Sequence, residues 1–314
     1  MRSYIIRRIL LLIPVLFGIS LGIFLLMHMI PGDVVTSMLG FDATKEAAEQ
    51  LTKQFGLDLP WYQQYWNWMS GVLRGDFGYS LRTGKAILPD ILNRFKLTFQ
   101  LTMMAAVISW IIAVPLGIIA AIKRNTIIDG IARFLALMWV SVPNFALATL
   151  ALLFLSLKFN YFPPIEYVSF GQDPVENLKT LILPALILGA IMSGSVMRMT
   201  RSSILEVLRM DFIKTIRAKG AKERVVIFKH ALKNSLIPIM TIVGMQIGYL
   251  LGGTVITEKI FSLPGLGQMV LTGINQRDYP VVQGTILFIA TVFVLINLLV
   301  DLLYAKVDPR ITYK

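Results

Sequence analysis

An all-α polytopic membrane protein with about six transmembrane helices is predicted by three observations. The chain of 314 residues is 56% hydrophobic and only 15% charged, where a soluble domain carries about 25% charged residues. Its apolar residues gather in long runs that can cross a ~30 Å hydrocarbon core. Its net charge of +12 collects in alternate segments between those runs, which is the usual mark of a fixed membrane topology. The composition also removes function classes. There is no cysteine, so there is no disulfide, thiolate nucleophile or Cys-ligated zinc site. The two histidines, His28 and His230, lie far apart in sequence, which argues against a His-based metal cluster. Positive charge placed in short loops beside apolar runs points to the lipid bilayer as partner and not to nucleic acid.

The first run, 9–30, follows Arg2, Arg7 and Arg8. As a helix it is about 33 Å long, longer than a signal-peptide core, and no A-x-A cleavage site follows it. It reads as a retained first transmembrane helix. Five further runs follow at 97–122, 131–157, 178–197, 236–256 and 281–304. Alternation puts the N-terminus, 123–130, 198–233 and 306–314 on one side. With Arg133 these hold 19 of the 30 bases, against 11 bases and 12 acids on the other side. The positive-inside rule makes the first side cytoplasmic, with both termini on it. The chain thus divides into 1–30 (N-terminus and first helix), an external loop domain at 31–96, and a core of five helices at 97–314. The core carries a cytoplasmic loop at 198–235.

The external segment 31–96 has seven acids and seven bases. Its aromatic cluster of Trp61, Tyr62, Tyr65, Trp66 and Trp68 fits either an interfacial aromatic belt or a docking face for an external partner. Asp76-Phe77-Gly78 matches a kinase triplet with no other kinase element beside it, and is read as chance. Pro14, Pro115, Pro143 and Pro184 interrupt spans, where each removes a backbone donor and favours a kink. Gly244, Gly248 and Gly252 make a flat strip on the fifth span, read first as a tight helix-packing face. No acidic residue falls near the middle of a span. Because a charge held there is usually functional, its absence argues against an autonomous ion-coupled carrier.

The most informative stretch is 198–233. Its ten bases and three acids give +7, more than half of the net charge. Ile204, Leu208, Phe212 and Ile216 recur every four residues, which predicts one apolar stripe. Gly220 breaks that helix. A second helical pattern follows with Val225, Phe228 and Leu232 on one face, and Asn234 and Pro238 lead into the fifth span. Charge and periodicity fit two readings equally, an element seated in a partner's groove or a segment lying on anionic lipid.

The particular residues resemble a known family. Arg217-Ala218-Lys219-Gly220, then His230-Ala231-Leu232-Lys233-Asn234, then Ile237-Pro238, is similar to the cytoplasmic signature of ABC importer permeases. The broad family pattern is Glu-Ala-Ala, three residues, Gly, nine residues, Ile-x-Leu-Pro. This chain keeps Gly220 and Leu232, but has Lys214-Thr215-Ile216 for Glu-Ala-Ala, and His230 and Lys233 for the isoleucine and the proline. Those departures resemble the variant in dipeptide, oligopeptide and nickel permeases. The same subfamily is matched by Arg7-Arg8, Ile30-Pro31-Gly32-Asp33, Phe55-Gly56-Leu57-Asp58 and Gly75-Asp76-Phe77-Gly78-Tyr79-Ser80. So it is by Ser141-Val142-Pro143-Asn144-Phe145, Phe261-Ser262-Leu263-Pro264-Gly265-Leu266-Gly267 and Arg277-Asp278-Tyr279-Pro280, and by Val300-Asp301-Leu302-Leu303-Tyr304 and Asp308-Pro309-Arg310.

The resemblance implies a type I importer permease fold and the B-type subunit, which carries the large loop between spans one and two. It implies a second, C-type permease chain, two cytoplasmic ATPases and an external substrate-binding protein. The cargo it implies is di- or oligopeptides, with nickel, glutathione or oligosaccharide as alternatives. ATP and Mg would be used by the ATPases and no cofactor by this chain. The sequence agrees independently: the Gly-x-x-x-x-Gly-Lys-Ser/Thr run that cradles phosphates does not occur, so the chain is not expected to be an enzyme. The ATPase-coupling residues are expected to be Asp211, Thr215, Arg217, Ala218, Lys219, Gly220, Glu223, His230 and Asn234. Trp61, Tyr62, Tyr65 and Trp66 are expected to dock the binding protein.

Overall fold

The computed structural model describes residues 2–29, 44–164 and 166–307. The motif Ile30-Pro31-Gly32-Asp33, the start of the expected external domain and Asp308-Pro309-Arg310 lie outside them. Among the described residues the regular elements are all helices apart from one isolated bridge, Tyr79 to Ala86. In order the helices are α1 (Arg2–Met29), α2 (Lys45–Gln54), α3 (Trp61–Leu73), α4 (Ile87–Ile122), α5 (Ile127–Ser141), α6 (Asn144–Phe159) and α7 (Pro174–Leu208). There follow α8 (Asp211–Ala218), α9 (Glu223–Val225), a π-helix (Val226–Ala231), α10 (Leu232–Gly253), α11 (Val255–Ile260), α12 (Leu266–Gln276) and α13 (Tyr279–Val307).

Five stretches are long and apolar enough to cross a membrane: Leu10–Met29, Ile87–Ile122, Pro174–Leu208, Glu223–Gly252 and Tyr279–Leu302. They correspond to expected spans one, two, four, five and six. The third does not form one helix. It divides into α5 and α6, bent by 100° to each other. Val142 is extended and Pro143 caps α6 (φ −61°, ψ 140°). Proline pushes the residue before it out of helical geometry, and here the chain turns instead of kinking. Pro14, Pro115, Pro184 and Pro238 stay inside helices.

The chain forms two compact units. One comprises 1–98, 252–255 and 264–294. Its core joins Ile87 and Ile91 of α4 to Leu266 and Met269 of α12 and Val281 of α13, with Phe77, Phe95 and Phe288 packed around them. Gly284 of α13 admits the Phe77 ring, whose Cδ1 would lie 3.2 Å from a Cβ there. A second cluster sets Ile23 and Met27 of α1 against Val282.

The other unit comprises 99–251, 256–263 and 295–314. Its core is α7, which packs Val196 and Met197 with Ala113 and Ala120 of α4, Ala132 and Ala136 of α5, and Ile239 and Val243 of α10. Small residues let these backbones close up. A Cβ on Gly189 would fall 2.9 Å from the Ala105 carbonyl oxygen, and one on Gly194 would fall 2.6 Å from that of Ala136.

Candidate functional site

The basic segment folds as helix, glycine turn, helix. α7 does not stop at the expected membrane boundary but continues to Leu208. The chain then breaks at Arg209 and at Met210, whose ψ is 148°, and restarts as α8. Asp211 stands in the first turn of α8, where a carboxylate offsets the helix dipole and receives the Lys214 ammonium at 2.7 Å. The break resets the helical phase. The expected stripe of Ile204, Leu208, Phe212 and Ile216 therefore does not hold: Ile213 is the fully buried residue of α8, and Phe212 is exposed.

α8 ends in a Schellman motif. The Gly220 N–H donates to the Arg217 carbonyl (2.9 Å) and the Ala221 N–H to that of Ile216 (3.4 Å), which satisfies carbonyls the helix end would otherwise strand. The motif places Gly220 at φ +78°, a conformation that costs an L-residue roughly 1–2 kcal/mol. No atom lies within 4 Å of where its Cβ would stand, so backbone geometry alone selects glycine. Across the turn the Arg217 guanidinium holds the Glu223 carboxylate, Nε to Oε1 at 2.7 Å and Nη2 to Oε2 at 3.2 Å.

Beyond the turn, α9, the π-helix and α10 run on as one stretch, Glu223–Gly252. The second half of the turn is thus covalently the start of the fifth span. The i→i+5 bonding of the π-helix also shifts its faces. Val226, Ile227 and Ala231 are buried, while Val225 and Phe228 are exposed, so the expected face of Val225, Phe228 and Leu232 is corrected. The buried residues serve two clusters. Val226 and Ala231 pack with Val207 and Ile213, and Ile227 packs with Ile118, Ala121 and Ile204. The element is seated on the ends of α4 and α7, and its polar residues face outward. Asp211, Thr215, Arg217, Ala218, Lys219, Gly220, Glu223 and Asn234 are all exposed, and His230 is half-buried. The Asn234 amide donates to the His230 carbonyl at 2.7 Å.

One arrangement beside this element went unread in the sequence. Asp129 of α5 is fully buried. It accepts from Arg201 Nε at 2.7 Å and Nη2 at 2.9 Å, and from the Asn125 N–H at 3.0 Å. Arg133 Nε lies 3.5 Å away. The fork-on-carboxylate geometry ties the 123–126 turn to α7 about two helical turns before that helix ends at Leu208. No sequence signal joins two residues 72 positions apart.

In the other unit, Trp61, Tyr62 and Trp66 are exposed by 56%, 56% and 70%. Tyr65 is not on that face. It is buried among Phe17, Phe24 and Trp68, and its hydroxyl shares a 2.8 Å hydrogen bond with Ser20. Three residues apart on one helix face, Tyr65 and Trp68 turn together toward Phe24 of α1. Two of the motifs meet here. Ser80 Oγ donates to Asp278 Oδ2 at 2.5 Å, the Leu81 N–H to Oδ1 at 3.2 Å, and Arg82 Nε to the Gln276 carbonyl at 3.0 Å. Of the glycine strip, Gly244 packs directly on Val300, whereas Gly252 is exposed with only Ile289 near it; Gly248 is buried.

Comparison with known proteins matches the family of binding-protein-dependent transport system inner membrane components over residues 113–313. The N-terminal region of such membrane components matches over residues 1–102. The chain belongs to this family. The dipeptide transport system permease protein DppB of Alkalihalophilus pseudofirmus is 44% identical over 338 residues, with all of both chains covered. The glutathione transport system permease protein GsiC of Escherichia coli (strain K12) is 40% identical over 314 residues, again with both covered in full. A chain of the MetNI methionine ABC transporter, in an inward-facing conformation, superimposes with TM-score 0.59 at 16% identity. The superposition covers 71% of this chain and 98% of that one; it shows the importer-permease fold. The protein is therefore a multi-pass inner-membrane permease subunit without catalytic activity or cofactor of its own. It works with ATPase subunits that hydrolyse ATP and with a substrate-binding protein.

Proposed function

We propose that this chain is the B-type permease of an importer for di- and oligopeptides, and that the turn at Gly220 is its coupling point to one ATPase. Two full-length relatives named for dipeptide and glutathione transport support the cargo class, and glutathione is itself a short peptide. The observation that carries the coupling reading is the Schellman turn. It presents Arg217, Lys219 and Glu223 outward, while its second arm is continuous with a membrane span. Closure of the ATPases would press on α8, and the load would pass through the buried clusters around Ile213 and Ile227 into α4, α7 and α10. The basic charge of this segment supports a cytoplasmic position for it and for both termini. A C-type permease chain completes the pathway. The 31–96 segment forms an external domain whose Trp61, Tyr62 and Trp66 meet the binding protein, and Gly244 and its neighbours pack the fifth span. GsiC favours glutathione as the second cargo.

Reconstitution with the partner subunits in proteoliposomes tests this. Uptake of labelled di- to pentapeptides that needs both ATP and binding protein is expected. Assembly with glutathione uptake alone would select the second cargo, and no assembly with any ATPase would overturn the coupling role. Cysteines placed singly at Lys219 and Trp66 should label from opposite sides of the membrane.

A further inference from the structure

Around Arg201 lies a cavity of about 600 Å³ whose lining includes Arg133, Arg198, Ser195, Ser202 and Leu137. No acidic side chain lines it. Asp129, behind the wall, takes Nε and one Nη2 hydrogen of Arg201. A guanidinium carries five N–H donors, so most of Arg201 remains unspent, and its plane is held fixed by the carboxylate. Arg133 reaches Asp129 only at 3.5 Å, and among the described residues no hydrogen bond or ion pair engages Arg198. Three cations against one carboxylate leave the cavity two charges positive. With a single carboxylate among them, the three guanidiniums repel one another. The cavity therefore suits an anion.

Its surroundings indicate which one. The cavity opens between α5, α7 and α10, with Ile242 contributed by α10. Along α5, Ile131, Phe134, Leu137 and Met138 are exposed, an apolar strip of the kind that meets acyl chains. Basic pockets between transmembrane helices take phospholipid head groups, and planar guanidiniums match phosphate oxygens two at a time. We propose that Arg133, Arg198 and Arg201 form a binding site for the phosphate of an anionic phospholipid, with its acyl chains along α5.

The test uses the assembled transporter, purified from membranes and reconstituted in nanodiscs of phosphatidylcholine with or without phosphatidylglycerol. Native mass spectrometry reads the lipid that stays bound. Wild type should retain phosphatidylglycerol over phosphatidylcholine. Arg133→Gln with Arg198→Gln should lower that preference by about thirtyfold. Arg198→Gln alone, at an exposed residue outside the Asp129 pair, should lower it by about fivefold and keeps the test open if the double variant fails to assemble. Lys179→Gln, an exposed cation elsewhere, should leave it unchanged. Equal retention in wild type and the arginine variants would overturn the site. A wild-type complex that is stabilised by inorganic phosphate in phosphatidylcholine discs, yet retains no phosphatidylglycerol, would assign the cavity to a free anion and overturn the lipid.

Discussion

The segment around the Gly220 turn and the aromatic helix α3 use the same ingredients, an amphipathic helix with residues facing outward, and differ in what holds them. α8 and the π-helix rest on two buried aliphatic clusters that reach α4 and α7, and their outward side is polar. α3 is fixed through Tyr65, its ring contacts and the Ser20 hydroxyl, and its outward side is aromatic. The first arrangement suits the proposed transfer of load into the membrane helices, because packed interiors transmit strain. The second presents large apolar anchors of the kind that dominate protein interfaces. A change beneath the coupling segment should therefore disturb the whole permease, whereas a change on the outer face of α3 should disturb partner binding only.

The largest expected effect breaks the first half of that comparison. Ile213→Ala removes a fully buried side chain and should cost about 2–5 kcal/mol, read as a lowered unfolding temperature of the assembled complex. Asp129→Ala comes next. It strands the mostly buried Arg201 and should cost roughly 3 kcal/mol, near the lower end for a broken buried pair because Arg201 keeps some solvent contact. Thermal unfolding reads it, and a loss of stability well under 1 kcal/mol would mean that the pair does not hold the 123–126 turn. On α3, Trp66→Ala should weaken binding-protein affinity by about 2 kcal/mol and leave the unfolding temperature unchanged. Tyr65→Phe should do the reverse, costing about 1 kcal/mol of stability with binding-protein affinity intact. The smallest effect is expected from Arg217→Gln. Its pair with Glu223 is exposed at both ends and contributes at most about 1 kcal/mol, so any large loss of uptake must come from contact with the ATPase.

The spans were legible because a bilayer demands long apolar runs, and such runs survive in composition whatever the packing. Gly220 was legible for a similar reason, since a glycine ending a helical pattern marks a left-handed turn. Other features depend on choices that local pattern does not encode. Pro143 and Pro115 look alike in sequence, yet one ends a helix with a 100° bend and the other sits within one. The π-helix moved Val225 and Phe228 outward without any residue that announces it. The break at Met210 moved Phe212 out and Ile213 in, because a helical stripe is readable only while the phase is unbroken. Asp129 lay two residues before an expected span and looked like ordinary interfacial charge; its partner is known only once α5 and α7 are packed. Ser80 and Asp278 sit in two motifs noticed separately, and the fold supplies the hydrogen bond between them.

The most direct test of the account is the number of ATP molecules hydrolysed per peptide taken up, measured in proteoliposomes for Gly220→Asn, Gly220→Ala and Gly220→Pro. Asparagine tolerates the left-handed conformation, alanine resists it, and proline, fixed near φ −65°, cannot adopt it. The account predicts coupling close to wild type for asparagine, reduced for alanine, and lost for proline while ATP hydrolysis persists. Tight coupling in the proline variant would contradict it.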